Sequence, residues 1–365
     1  MASHGVSRSA AREEKTAEAR QRELREISEY QHLVEEVNTK IQAKEFTPEL
    51  LQQTASLLKR NPEYYTIWNH RRRIYMHEFQ SLDTQVSSGQ LDPASRISQI
   101  LDIIQLDLQF LFPLLLKFPK CYWIWNHRLW LLQQATLLLP PTKARPLWEE
   151  ELNLVGKMLS RDSRNFHGWG YRRIVVQSLE SPTLNGQSMS RDELEYTKKM
   201  IGLNLSNFSA WHNRTKLILK ILDEENATDE ERQKMLDEEL DLIHQALFDP
   251  YDQSLWFYHQ NLMCTFDLDL APKGMAPNLS NRQRLDYIAA EKQYIEEVLE
   301  DASDCKWAYQ ALIECTLLEA KLHNGQLNED DRTKVLGWLD ELKKLDPLRK
   351  GRWLDMEQSF TAHSS

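Results

Sequence analysis

Within FPKCYWIWNHR, Phe118 to Arg128, a lysine (Lys120) stands between a proline and a cysteine, with a tyrosine (Tyr122) two residues on. An ammonium held beside the open N–H groups of a helix start can stabilise negative charge that develops on a leaving group. The plainer reading is an exposed lysine where a helix begins, and the residues alone favour it. Trp125 and Arg128, later in the same stretch, have a different character because they recur.

The recurrence runs through NPEYYTIWNHRR to Trp68, FPKCYWIWNHR with Trp125, DSRNFHGWGYRR with Trp169, NLSNFSAWHNR with Trp211 and DPYDQSLWFYHQ with Trp256. Weaker copies carry Trp307 and Trp353, and successive tryptophans lie 57, 44, 42, 45, 51 and 46 residues apart. Such a period belongs to stacked helical hairpins. Three residues before the tryptophan comes an aromatic (Tyr65, Tyr122, Phe166, Phe208) and three after it an arginine (Arg71, Arg128, Arg172, Arg214). That spacing places all three on one helical face. Asn or Asp followed by Pro, seven and six residues ahead of several tryptophans, is expected to mark the helix start.

An amphipathic run precedes each motif, as in LWEEELNLVGKMLSRD, so each unit is expected to be a helical hairpin. The expected fold is all-α, a right-handed α–α superhelix of about seven hairpins in a crescent-shaped solenoid. A charged helical segment over 1–45, with Leu24, Ile27, Tyr30, Leu33, Val37 and Ile41 along one edge, leads into the repeat domain over 46–365. The tryptophans are expected to pack between helices, and the arginines to pair with carboxylates or helix ends of the neighbouring unit.

Composition narrows the function. A formal charge of −10 opposes nucleic acid and anionic membrane as partners, and 41% hydrophobic residues suffice for a buried core. No run of about 18 uninterrupted apolar residues suggests membrane insertion. Four cysteines in no metal spacing suit reduced thiols in the cytoplasm. The start Met-Ala and the ending TAHSS suggest no lipid attachment to the chain itself. No HExxH and no paired Cys/His set points to a metal, and His70, His127, His167, His212 and His259 read as packing residues.

The pattern of aromatic, two residues, tryptophan, two residues, arginine resembles the repeat of protein prenyltransferase alpha subunits over roughly 61–301. RNFHGWGYRR, NFSAWHNR and DPYDQSLWFYH are most similar to the Rab geranylgeranyltransferase branch of that family, as is the early pair His4 and Gly5. The resemblance implies half an enzyme. A catalytic β subunit would carry zinc and most of the lipid pocket, this chain holding no cofactor, and an escort protein would present Rab GTPases. Geranylgeranyl diphosphate would be the donor. It further implies that Lys120 reaches the diphosphate, that Tyr122 lines the cavity near the reacting carbon, and that Asn165 and His167 lie near that cavity. Trp123 replaces the glutamine that CaaX-type subunits use for the peptide carboxylate, and Phe166 replaces a tyrosine of farnesyl subunits. Two alternatives stay open: the shared alpha subunit of the CaaX enzymes, and a helical scaffold without catalysis.

Overall fold

The computed structural model describes residues 16–323, 325 and 327–361. Helices dominate, with no strand among the described residues. After α1 (Ala17–Gln42) come α2 (Pro48–Arg60), α3 (Tyr65–Ser87), α4 (Pro93–Lys117), α5 (Tyr122–Leu138), α6 (Pro141–Arg161), α7 (Phe166–Leu179) and α8 (Ser190–Leu203). The series continues with α9 (Phe208–Glu224), α10 (Asp229–Ala246), α11 (Gln253–Met263), α12 (Asn281–Asp301), α13 (Lys306–Leu322), α14 (Glu329–Leu345) and α15 (Lys350–Thr361). From α2 onward they pair in sequence, an even-numbered first helix with the odd-numbered second helix that follows.

Two compact units divide the chain, Met1–Met158 with Gly170–Gly186 and Leu159–Trp169 with Gln187–Ser365. In the first, α1 packs on α2, α2 on α3, α3 on α4 and α4 on α5, and the second helices α3 and α5 also touch. The second unit repeats the scheme, α9 meeting α11 and α11 meeting α13 besides their hairpin partners.

Side-chain caps open most first helices: Thr47 for α2, Asp92 for α4, and the capping boxes Thr228/Glu231 and Ser280/Gln283 for α10 and α12. Neither α3 nor α5 has one. On capped and uncapped second helices alike the motif tryptophan ties the entering chain, its indole N–H donating to the carbonyl six residues earlier. Trp68 reaches Pro62 (2.8 Å), Trp125 reaches Pro119 (2.9 Å), Trp169 reaches Ser163 (2.8 Å), Trp211 reaches Leu205 (2.9 Å) and Trp256 reaches Pro250 (2.6 Å). The Asn/Asp-Pro pair therefore does not start the second helix. Asn61 ends α2, and Pro62 lies in the turn where its carbonyl receives the indole.

In the sixth hairpin the tie shifts. α13 begins at Lys306, and Tyr309, three residues in, donates its hydroxyl to Ser303 O at 2.9 Å. Tyr309 rather than Trp307 thus holds the register position.

Arg71, Arg128 and Arg214 of the motif join three helices apiece. Arg71 donates backward to Leu51 O (2.9 Å) and forward from Nε to Asp107 (3.0 Å); Arg128 reaches Leu108 O (2.9 Å) and Glu151 (2.7 Å). In the second unit Arg214 reaches Leu194 O (3.4 Å) and Glu239 (2.7 Å). The side chain two residues after the next tryptophan closes each clamp, His127 on Asp107, Tyr171 on Glu151 and Tyr258 on Glu239. Burial alone would raise the Asp107 pKa, but Arg71 and His127 hold it well below the ordinary carboxylate range. In the fifth hairpin His259 stands in the arginine position, and Glu291 receives it at 2.9 Å together with His244 at 3.0 Å.

Two further expectations need correction. Tyr65, Tyr122, Phe166 and Phe208 do not share the buried face; they are 53%, 52%, 77% and 50% exposed, because each is the first residue of its helix and sits ahead of the packed turn. On α1 only the later part of the apolar edge is covered, with Val37 buried while Leu24 and Ile27 are exposed. Among the described residues α4 alone is long and apolar enough to cross a membrane. Its buried Asp107, paired to Arg71, suits a packed repeat helix.

Arg128→Ala leaves Glu151 buried without its cation, and we expect a loss of about 3–5 kcal/mol in urea unfolding of the full chain. Replacing both by apolar residues (Arg128→Met with Glu151→Leu) should recover most of it; equal losses would refute the clamp. For Glu291, burial raises the pKa but the two histidines pull it from 4.5 down to about 2. Its contribution is therefore complete above the unfolded value and is lost as pH falls towards 2. Glu291→Gln should flatten that acid limb by on the order of 3 kcal/mol; an unchanged slope in pH-dependent unfolding would contradict the assignment.

Candidate functional site

Helix α5 and the turn before it separate buried residues from exposed ones. Trp125 and Arg128 are buried, whereas Lys120 is exposed in the turn ahead of the helix and Tyr122, its first residue, is half exposed. Lys120 therefore precedes the helix start by two residues instead of forming it. Cys121 is the N-cap residue and supplies no side-chain cap; its thiol lies 3.5 Å from Pro62 O, and burial pushes its pKa up to about 11. A thiol in that state is no nucleophile at neutral pH.

Aromatic packing shapes the rim beside Tyr122. The Trp123 ring meets Tyr122 edge-on at 5.4 Å and tilts against Tyr65 of α3, also at 5.4 Å. Asn126, one turn along α5, donates its amide to the Tyr122 hydroxyl at 3.3 Å. Arg72 of α3 joins the same group through Asn126 and His127.

Asn165 and His167 belong to the second unit. Asn165 is buried, and its Oδ1 accepts from Gly168 N at 3.1 Å, which caps α7 as Asn207 caps α9 through Ala210 N at 3.2 Å. A side chain engaged in a cap has less freedom to serve a ligand. His167 is half-buried, its ring edge-on to Phe166 at 6.0 Å. Further along the unit, a hollow of about 320 Å³ opens between α9 and α11, lined by Phe208, His212, Phe257 and Asn261 among others.

The remaining histidines are largely spent on packing. His127 and His259 bind the clamp carboxylates, and His212 stacks on Phe208 at 6.1 Å. His70 is buried beside Phe46 with neither nitrogen bonded. No group of three or more His, Cys, Asp or Glu side chains among the described residues could hold a metal ion, and none of the four cysteines is bridged. His4 and Gly5 lie outside the described residues.

Arg72 and Asn126 escape a reading of the sequence. The only trace of Arg72 is the doubled arginine of NHRR, in which the second falls one residue off the clamp face. Asn126 repeats Asn69 directly after a motif tryptophan, which gives it no separate role by spacing.

The chain matches the protein prenyltransferase alpha subunit repeat over residues 48–78, 104–135, 148–179 and 190–221. It is 34% identical over 364 residues to the geranylgeranyl transferase type-2 subunit alpha of Schizosaccharomyces pombe, with 98% of each chain covered. The Saccharomyces cerevisiae subunit of the same name is 36% identical over 256 residues, 70% of each chain. Against the human one the identity is 34% over 263 residues, 71% of this chain and 41% of that one. Among solved structures, Candida albicans protein geranylgeranyltransferase-I complexed with GGPP gives a TM-score of 0.59 at 20% identity over 91% of both chains, a likeness of fold. With its repeats matched and its length nearly covered, the chain belongs to the protein prenyltransferase alpha subunits, in the geranylgeranyl transferase type-2 family.

Proposed function

We propose that this chain works as the alpha half of a Rab geranylgeranyltransferase. Paired with a zinc-bearing β subunit, it would transfer the geranylgeranyl group from geranylgeranyl diphosphate to C-terminal cysteines of Rab GTPases presented by an escort protein. The observation that carries this reading is the division of labour on α5, where Trp125 and Arg128 face inward while Lys120 and Tyr122 stand at the exposed, uncapped start.

In the reaction a cysteine sulfur bonds to the first carbon of the isoprenoid, the carbon–oxygen bond breaks, and the electron pair leaves on the diphosphate. Stabilising that growing charge is the task assigned to the Lys120 ammonium, and Tyr122 would line the cavity beside the reacting carbon. Zinc in the partner would hold the acceptor cysteine as its thiolate, the thiol proton passing to solvent. Trp123, packed against Tyr65 and Tyr122, lacks the amide that CaaX-type subunits offer a peptide carboxylate and favours the Rab enzyme over the shared CaaX subunit. Asn165 and His167 keep a lesser, cavity-lining role in this proposal.

Exposed Tyr65, Tyr122, Phe166 and Phe208 suit an obligate partner that covers them. The unbridged cysteines suit a cytoplasmic place. To the same reading belong the leading charged segment over 1–45, the repeat domain over 46–365 and the right-handed superhelical order of its hairpins.

Lys120→Ala should leave assembly with the β subunit intact and slow single-turnover transfer roughly 10 to 1,000-fold at saturating substrates. A wild-type rate there would reduce Lys120 to a turn residue. The purified chain alone should contain no stoichiometric zinc and transfer no lipid, and adding the β subunit should produce activity. Metal analysis or a transfer assay positive for the lone chain would overturn this division between subunits.

A further inference from the structure

Arg72 follows the clamp arginine Arg71 but is tied to a different helix. Arg71 turns to Asp107 on α4, whereas the half-buried Arg72 turns to α5, its Nε–H donating to His127 Nδ1 at 3.3 Å. Another guanidinium N–H donates to Asn126 Oδ1, and the group lies over the Trp130 ring, 5.6 Å from its centroid. Among the described residues no carboxylate pairs with it.

Because a guanidinium only donates, each bond fixes the orientation of the next group. His127 Nδ1 must accept from Arg72, so its proton sits on Nε2 and is given to Asp107 Oδ2 at 2.8 Å. Burial, which pushes the His127 pKa down to about 4, keeps that ring neutral at physiological pH. Asn126 must turn Oδ1 to Arg72, which leaves Nδ2 to donate to the Tyr122 hydroxyl at 3.3 Å. The Tyr122 oxygen therefore accepts from Asn126, and its own proton is directed elsewhere. Without Arg72 the amide is able to flip, and the tyrosine would then spend its proton on Oδ1.

We propose that Arg72 is a positioning residue for prenyl transfer: by fixing the Asn126 amide, it keeps the Tyr122 hydroxyl oriented as a donor towards the diphosphate leaving group. This rests on the reading that Tyr122 borders the reacting centre. A chain from buried clamp to exposed site results, Asp107, His127, Arg72, Asn126, Tyr122.

The test is a double-mutant cycle on the assembled enzyme, with geranylgeranyl diphosphate and an escort-presented Rab protein, read as the single-turnover rate. Arg72→Met should slow transfer about 10-fold, the worth of one hydrogen bond at the upper end of its range. Arg72→Lys, which keeps the charge but lacks the planar fork, should be comparably slow. In a Tyr122→Phe background Arg72→Met should cost nothing further, because the hydroxyl it orients is gone. If Tyr122→Phe is slow and the Arg72→Met loss is still fully additive, the inference fails while the reading of Tyr122 stands. If Tyr122→Phe alone reacts at the wild-type rate, that reading fails and the inference with it. Should Arg72→Met not assemble, Asn126→Ala tests the same link, and additivity with Tyr122→Phe would again refute it.

Discussion

A buried guanidinium that bonds to three helices at once is the constraint on which the stack depends. Arg71, Arg128 and Arg214 each leave a second helix and satisfy a carbonyl of the preceding helix and a carboxylate of the following one. A buried charge without its partner costs several kcal/mol, so a slip of register between hairpins is penalised at every clamp. Hydrophobic packing alone would tolerate such slips far better. The clamp also admits variation where the geometry allows it, as when His259 and His244 together take over Glu291.

The site follows from what the clamp consumes. With tryptophan and arginine turned inward, the first residue of each second helix is left at the surface, and the turn before α5 presents Lys120. The indole-to-carbonyl tie fastens α5 without a capping side chain, so no side-chain oxygen occupies its N-terminus. Hydrogen bonds link the two regions, since the Asp107 that anchors Arg71 also receives His127, and Arg72 donates to both His127 and Asn126.

Much of this was legible in the residues, for physical reasons. Tryptophan and arginine at a fixed separation of three announce a buried stripe on a helix, and an arginine there requires an acid nearby; the alternation of stripe and amphipathic run then implies hairpins. Helix starts were harder to read because proline just after one helix and proline at the start of the next look alike locally, and Pro62 and Pro119 are of the first kind. Tyr309 was obscured by Trp307 because the position demands a ring that can donate to a carbonyl six residues back, a property tyrosine shares. Asn165 carried a family expectation, while its bond to Gly168 N depends on local backbone geometry that no spacing reveals. Arg72 and Asn126 are united only by the contact of α3 with α5, which is tertiary information.

The central claim is that one helix start serves chemistry while the rest of the helix serves the stack. The most direct measurement is an experimental structure of the chain bound to its β subunit with an unreactive geranylgeranyl diphosphate analogue. The account predicts Lys120 Nζ within hydrogen-bond distance, about 3 Å, of a diphosphate oxygen and the Tyr122 hydroxyl facing the same group, with Trp125 and Arg128 buried as here. A diphosphate held by the β subunit alone, with Lys120 turned to solvent, would contradict it.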